Sequence, residues 1–521
     1  MRELVVLGTA SQAPTRTRNH NGYLLRWDDQ GLLFDPGEGT QRQLLLAGVA
    51  SSAITRICLT HAHGDHTFGL PGILSRMSLD EVAHPVPVHY PVSAEPVVRA
   101  LVDAGHDVVV HTGTKFASAV AATGATAAPV VHGRDLDDAE LDAWSAAHGA
   151  PEPGVKRLQW DVLHHFLGPV PGDLADLEAV VAGWRPDVVV TDTTGIAGAL
   201  LARRHGIPSV QLTVTPLPVS SRDTAPFGTG LQPPRTGLQA LRYRVLDAFI
   251  KRVVFKDAQR AALALVDEAG VDRPDGFFLD WMPTFATRVL HLSVPSLEYP
   301  RSDLPANVET VGAVLPRGVD LFEPPVWWPD VLAAKADGRP VVLVTQGTVA
   351  TDPSRLLYPA VEALTGTRAL VVLTTATAEP EDVFAGELPA NVRAARFVPF
   401  EQLLPLVDVM VTNGGFGGVQ QALAAGVPLV VAGRTEDKAE VGARVAWSGV
   451  GVALRTDPTT DATTTRAVAD GVRRVLEEPS FARRAQELAA EYARYDAVAR
   501  VVEVVEGLAG EQATATEAAA A

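Results

Sequence analysis

The feature that most constrains this chain of 521 residues is a strand that ends in a run of glycines and restarts as a helix. Val409-Met410-Val411-Thr412 is apolar and largely β-branched, as a buried strand requires. Asn413, Gly414, Gly415, Phe416, Gly417 and Gly418 follow, and then the helical run Val419-Gln420-Gln421-Ala422-Leu423. Glycine accepts left-handed backbone and lets a ligand approach closely. The free amides at the start of the next helix point back into the loop and favour an anion such as phosphate. A tight packing turn would also use glycines, so the surrounding sequence must decide between the two.

That context predicts a nucleotide site. Gly347 and Thr348 follow a strand at Pro340 to Thr345, and Glu436-Asp437-Lys438 follow a strand at Pro428 to Ala432. Three loops at the carboxyl ends of parallel strands make the usual ligand position of an open α/β sheet. Asp437 can accept hydrogen bonds from sugar hydroxyls. Lys438 can answer a phosphate or sit in a solvated salt bridge. Gln421, one helical turn past the glycines, can reach a ribose or lie on plain surface. Further strands are predicted at Ala369 to Thr374 and Val392 to Phe397. An earlier stretch alternates in the same way: strand Asp187 to Thr191, helix Gly195 to His205, strand Pro208 to Thr213. Apolar strands alternating with helices predict an α/β fold with parallel sheets. Leu297 to Pro305 reads as a linker.

Length predicts two or three domains. The net charge of −17 gives no general attraction for nucleic acid or an anionic membrane, which makes RNA an unlikely partner. Arg16 and Arg18 are the candidates for a local basic patch. The single cysteine, Cys58, excludes an intrachain disulfide and a cysteine-rich metal site. No apolar run is long enough to span a bilayer and no cleavage signal opens the chain, so it reads as cytoplasmic. The alanine-rich residues 511–521 are expected to fray.

The first ninety residues differ in character. Leu4 to Leu7, Gly22 to Trp27, Gly31 to Phe34 and Ile54 to Leu59 read as short strands between Gly, Pro and Asn turns. The last leads into His61-Ala62-His63-Gly64-Asp65-His66. Three imidazoles and a carboxylate in one tight loop can converge on metal, zinc above all, with Asp65 supplying oxygen to a second ion. Two such ions would activate a water.

Two resemblances carry these readings further. Phe397-Val398-Pro399-Phe400, Thr412-Asn413-Gly414-Gly415, Gln421 to Pro428 and Glu436-Asp437-Lys438 resemble the donor-binding signature of GT-B glycosyltransferases that use nucleoside-diphosphate sugars. The resemblance runs from about 98 to 505. It implies two facing Rossmann-like domains and a UDP- or dTDP-sugar donor. It also implies transfer of a hexose to a hydroxyl on a small-molecule or lipid acceptor. Asn413, Gln421 and Lys438 depart from the histidine, glutamate and glutamine usual there. The family often uses a base histidine after the first strand, steadied by an aspartate. His89 and Asp192 stand nearest to those roles, with Val86 to Tyr90 as a substitute first strand.

Residues 1 to about 91 resemble ribonuclease Z of the metallo-β-lactamase fold, through Phe34-Asp35-Pro36-Gly37-Glu38-Gly39-Thr40, the His61 to His66 loop and Phe68-Gly69-Leu70-Pro71-Gly72. That resemblance implies a two-zinc phosphodiesterase that trims precursor tRNA. Later histidines such as His132, His164, His165, His205 and His291 do not stand in its further metal motifs, so the zinc site is expected to be incomplete. The expected division is a partial metallo-β-lactamase-like segment at 1–85 and an acceptor-side domain at 86–298. A donor domain at 299–510 and the tail complete it. A fusion that binds nucleotide without turnover is the third functional expectation.

Overall fold

The structure is a computed structural model. It describes residues 2–8, 22–27, 30–34, 36–37, 39–58, 73, 76–77, 82, 88–89 and 99–520, apart from 101, 136–139, 153, 317–321, 323, 348–351, 377, 385, 434–436 and 455–464. It divides into two compact units: 1–102 with 117–126, and 103–116 with 127–521.

The first unit is built on a five-stranded sheet. Strands β1 (Arg2–Gly8), β2 (Gly22–Trp27) and β3 (Gln30–Phe34) pair antiparallel, and β4 (Arg56–Cys58) and β5 (Val88–His89) add in parallel. Period-2 alternation turns Leu24 and Leu33 inward, where they pack with Ile54 and Ile57. Gly31 is required because a Cβ there would lie 1.8 Å from the Ala53 carbonyl oxygen.

This sheet corrects one expectation. Val88 pairs with Ile57 and His89 with Cys58, so the strand read as the opening of the acceptor-side domain closes the first unit instead. Its short apolar run suits either sheet, and periodicity cannot choose between them.

The second unit holds two Rossmann-like domains. In the acceptor-side domain, β8 (Val189–Asp192), β9 (Ser209–Thr213), β10 (Arg288–His291) and β11 (Val308–Thr310) form a parallel sheet in the order β11-β10-β9-β8. Two shorter strands, β6 (Val109–His111) and β7 (Thr126–Ala128), pair separately. Strand β11 lies beyond the expected boundary at 298/299 yet belongs to this sheet, because Val308 pairs with Val289.

The donor-side sheet contains β12 (Val341–Thr345), β13 (Leu370–Thr374), β14 (Val392–Ala395), β15 (Val409–Thr412), β16 (Leu429–Val431) and β17 (Gly451–Ala453), all parallel, in the order β14-β13-β12-β15-β16-β17. This is the doubly wound order, with its reversal between β12 and β15. Val341 to Val344 and Val409 to Val411 are sealed from solvent on both faces, which explains their unbroken apolar sequence. The helix Ala497–Ala520 runs on through the stretch expected to fray, and alanine is the best helix former.

Candidate functional site

At the reversal between β12 and β15, where an open α/β sheet places its ligand crevice, the ends of the two strands lie side by side. Gly347 leaves β12 with φ +78°, and Gly414 leaves β15 with φ +93°. Asn413 ties the loops together. Its Nδ2 donates to the Gln346 carbonyl, and its Oδ1 accepts from the Gly415 amide at 3.3 Å. A Cβ on Gly347 would sit 3.4 Å from Asn413 Nδ2, and one on Gly414 only 2.6 Å from Val431 Cγ1. Both glycines are therefore fixed by backbone conformation, and Gly414 also by close packing.

The helix begins at Phe416, three residues before the sequence reading placed it, with Gly415 as its N-cap and no side chain capping it. The Val419 amide is the first to bond back, to the Gly415 carbonyl at 3.1 Å. The amides of Phe416, Gly417 and Gly418 are thus the unpaired donors of the first turn. Nothing lies within 4 Å of a Cβ placed on Gly417. Such a turn presents amide donors and a partial positive charge to an anion.

Gly433 and Lys438, after β16, stand against the same turn. Lys438, expected as a solvated salt bridge or a phosphate partner, is buried at the start of the helix Lys438–Ser448. Its Cδ would stand 2.9 Å from a Cβ on Gly433, which would itself meet the Asn413 carbonyl oxygen at 2.0 Å. Gly433, two residues past β16, is not singled out by the sequence. Asp437 caps the Lys438 helix through its backbone carbonyl, and Gln421 is half-buried on the Phe416 helix. Thr348 and the motif His61, His63, Asp65 and His66 lie outside the described residues. Among the described residues no group of three or more His, Cys, Asp or Glu could hold a metal ion.

On the acceptor side, Asp192 ends β8 and its Oδ1 accepts from the Thr194 amide and hydroxyl, each at 2.8 Å. It holds its own turn, and no histidine hydrogen-bonds to it among the described residues. His89 lies on β5 of the first unit, and its side chain is not described.

The buried groups at the domain junction escaped sequence reading. His291 ends β10 with Nδ1 2.5 Å from Thr213 Oγ1 and Nε2 3.3 Å from Glu298 Oε1, and its ring stacks 6.3 Å from Phe416. Glu298 Oε1 also accepts from Arg444 Nε and from the Leu217 amide, both at 3.0 Å, and Oε2 accepts from Arg301 Nη1 at 3.2 Å. Burial alone would raise the Glu298 carboxyl, but Arg444, His291 and Arg301 overcome it and hold it well below the usual range. Arg444 also donates to Glu440 Oε2 at 2.8 Å, and Glu440 Oε1 accepts from the amides of Gly228 and Gly230 at 2.9 and 2.8 Å. Residues far apart in sequence thereby pin the acceptor-side loop 214–236 to a donor-side helix.

Known proteins match successive parts of the chain. The C-terminal domain family of erythromycin biosynthesis protein CIII-like proteins matches residues 361–508, and their N-terminal domain family matches 99–269. The metallo-beta-lactamase superfamily matches 15–156 and so overlaps the start of the second match. The 4'-demethylrebeccamycin synthase of Lentzea aerocolonigenes is 42% identical over 415 residues, covering 79% of this chain and 95% of that protein. UDP-glycosyltransferase 2 of Phaeomoniella chlamydospora is 35% identical over 370 residues, 68% of this chain and 79% of that one. The crystal structure of the calicheamicin glycosyltransferase CalG4 superposes with a TM-score of 0.60 at 22% identity, covering 80% of this chain and 94% of its own. At the front, ribonuclease Z of Salinispora arenicola is 72% identical over 90 residues, but these are 17% of this chain and only 29% of that enzyme.

Proposed function

The chain belongs to the GT-B glycosyltransferases, here joined to an N-terminal segment resembling ribonuclease Z, and on that premise we propose transfer of a hexose from a UDP- or dTDP-sugar to a hydroxyl of a small or lipid-like acceptor. The observation that carries this reading is the open, uncapped first turn of the Phe416 helix at the sheet's reversal. As the bond to the sugar breaks, negative charge grows on the departing diphosphate. Amides already aimed at that position stabilise the charge without reorganising. Gly347, Gly414, Gly415, Gly417 and Gly418 shape the cradle, Asn413 fixes it, and Gln421, Asp437 and Lys438 border it.

The acceptor hydroxyl must lose a proton, and Asp192, at the carboxyl end of β8, is the carboxylate we assign to that step. Calorimetric titration with UDP and dTDP, alongside transfer to a panel of hydroxylated aromatics and lipids, tests the proposal. Saturable nucleotide binding with product formation supports it. No binding at millimolar ligand refutes it. Asp192→Ala should slow transfer strongly and leave nucleotide affinity intact.

The metal motif favours a second reading. His61, His63, Asp65 and His66 are suited to ligate zinc, which would supply an activated water. The chain spans less than a third of the ribonuclease Z proteins it matches, so hydrolysis of RNA remains secondary. A cytoplasmic setting is part of the main reading, and no described helix is long and apolar enough to cross a membrane.

A further inference from the structure

The helix Gly237–Phe249 directly follows the loop held by Glu440, and Thr236 caps it by accepting from the Gln239 amide at 3.2 Å. Its outer face is apolar and uncovered. Leu238, Leu241, Val245 and Phe249, with Val253 on the π-helical turn that continues it, are each between 52 and 65% exposed. Their spacing of three and four residues places them on one stripe. Water contact along five large apolar side chains is unfavourable, and such a stripe marks a surface that something covers.

The flanking charges indicate what covers it. From Arg235 to Lys256 the sequence holds six cations against one carboxylate, Asp247, in a chain whose net charge is −17. Asp247 is already paired with Lys251 at 3.1 Å. Arg242, Arg244, Arg252 and Lys256 are exposed and have no ion-pair partner among the described residues. On a helical wheel Arg242 and Arg252 border the apolar stripe, on opposite sides. An acidic protein segment would satisfy the cations but not the stripe. A headgroup layer over acyl chains satisfies both, and a helix of this kind lies in the plane of that boundary.

We propose that Gly237–Phe249 docks this protein onto an anionic lipid surface. This inference does not depend on the transfer reading. Sedimentation of the full chain with phosphatidylglycerol or phosphatidylcholine vesicles tests it. Expected is co-sedimentation with phosphatidylglycerol and little with phosphatidylcholine, weakened by raised salt. Arg242→Glu with Arg252→Glu should lower partitioning by about thirtyfold or more, at roughly a kilocalorie per arginine lost. Leu241→Glu with Phe249→Glu should remove it, while circular dichroism and UDP affinity stay as in the parent. These positions are exposed, so the variants should fold. Equal binding to both vesicles, or no binding to either, overturns the proposal. So does a concentration-dependent dimer that the Leu241→Glu, Phe249→Glu variant dissolves without any vesicle binding by the parent.

Discussion

Arg444 and Glu298, 146 residues apart in sequence, meet with Nε and Oε1 3.0 Å apart at the junction of the two Rossmann-like domains. Arg444 lies on the donor-side helix that begins at Lys438. Glu298 lies in the segment between β10 and β11 and also receives the Leu217 amide of the acceptor-side loop. One ion pair thereby joins the nucleotide side, the β10–β11 connection and the acceptor loop; Leu297 to Pro305, expected as a linker, runs between two strands of one sheet.

Removing one partner should therefore be costly. Arg444→Met leaves the Glu298 and Glu440 carboxylates buried together. We expect a loss of about 3 kcal/mol or more in urea unfolding. Replacing Glu298 by Leu in the same chain should restore part of it, because no buried charge is then left facing Arg444's place from that side. An additive double variant would contradict the direct pairing.

Acid should loosen the acceptor loop. Burial would raise the Asp303 carboxyl, but bonds from Ser221, the Arg222 amide and the Arg222 guanidinium bring it down to about 2. An unfolded aspartate titrates near ~3.9. The folded value is depressed, so its stabilisation is complete above about pH 4 and is lost as pH falls toward 2. Asp303→Asn should flatten the pH dependence of stability across that window. An unchanged acid limb would exclude Asp303 as its source.

Gly414→Ala should disrupt the crevice. An alanine there must hold φ near +93° with Cβ 2.6 Å from Val431 Cγ1. Strain of about 1–3 kcal/mol is expected. UDP affinity should fall by about tenfold, which corresponds to ~1.4 kcal/mol. Thermal unfolding and calorimetry on one preparation separate the two effects. Gly417→Ala, facing open space, should leave stability within about 0.5 kcal/mol of the parent.

The metal motif should be separable from transfer. His61→Ala with His63→Ala is expected to bring any bound zinc, measured by atomic emission, to background without altering the transfer rate. A parallel fall in both would tie the front segment to the main reaction.

Much of the donor side could be read from residues alone. Period-2 and unbroken apolar runs fix strands locally, and a glycine followed by a helix start fixes a loop. These depend on neighbours in sequence, and the strand ends carrying Gly347 and Asn413 lie side by side in the structure. Gly433 was missed because a single glycine after a strand carries little signal by itself. The burial of Lys438 could not be read in advance, because burial depends on what else packs above it.

What the sequence by itself determined was most of the strands of the donor side, the parallel character of both Rossmann-like sheets and the glycine-rich turn after Thr412. What only the tertiary structure decided was partnership. It gave Val88–His89 to the first sheet and Val308–Thr310 to the acceptor side, and it brought Glu298 to Arg444. It also left one face of the helix Gly237–Phe249 uncovered. The physical reason is that strand pairing and charge burial are contacts between distant segments, whose energies depend on the surroundings that folding assembles.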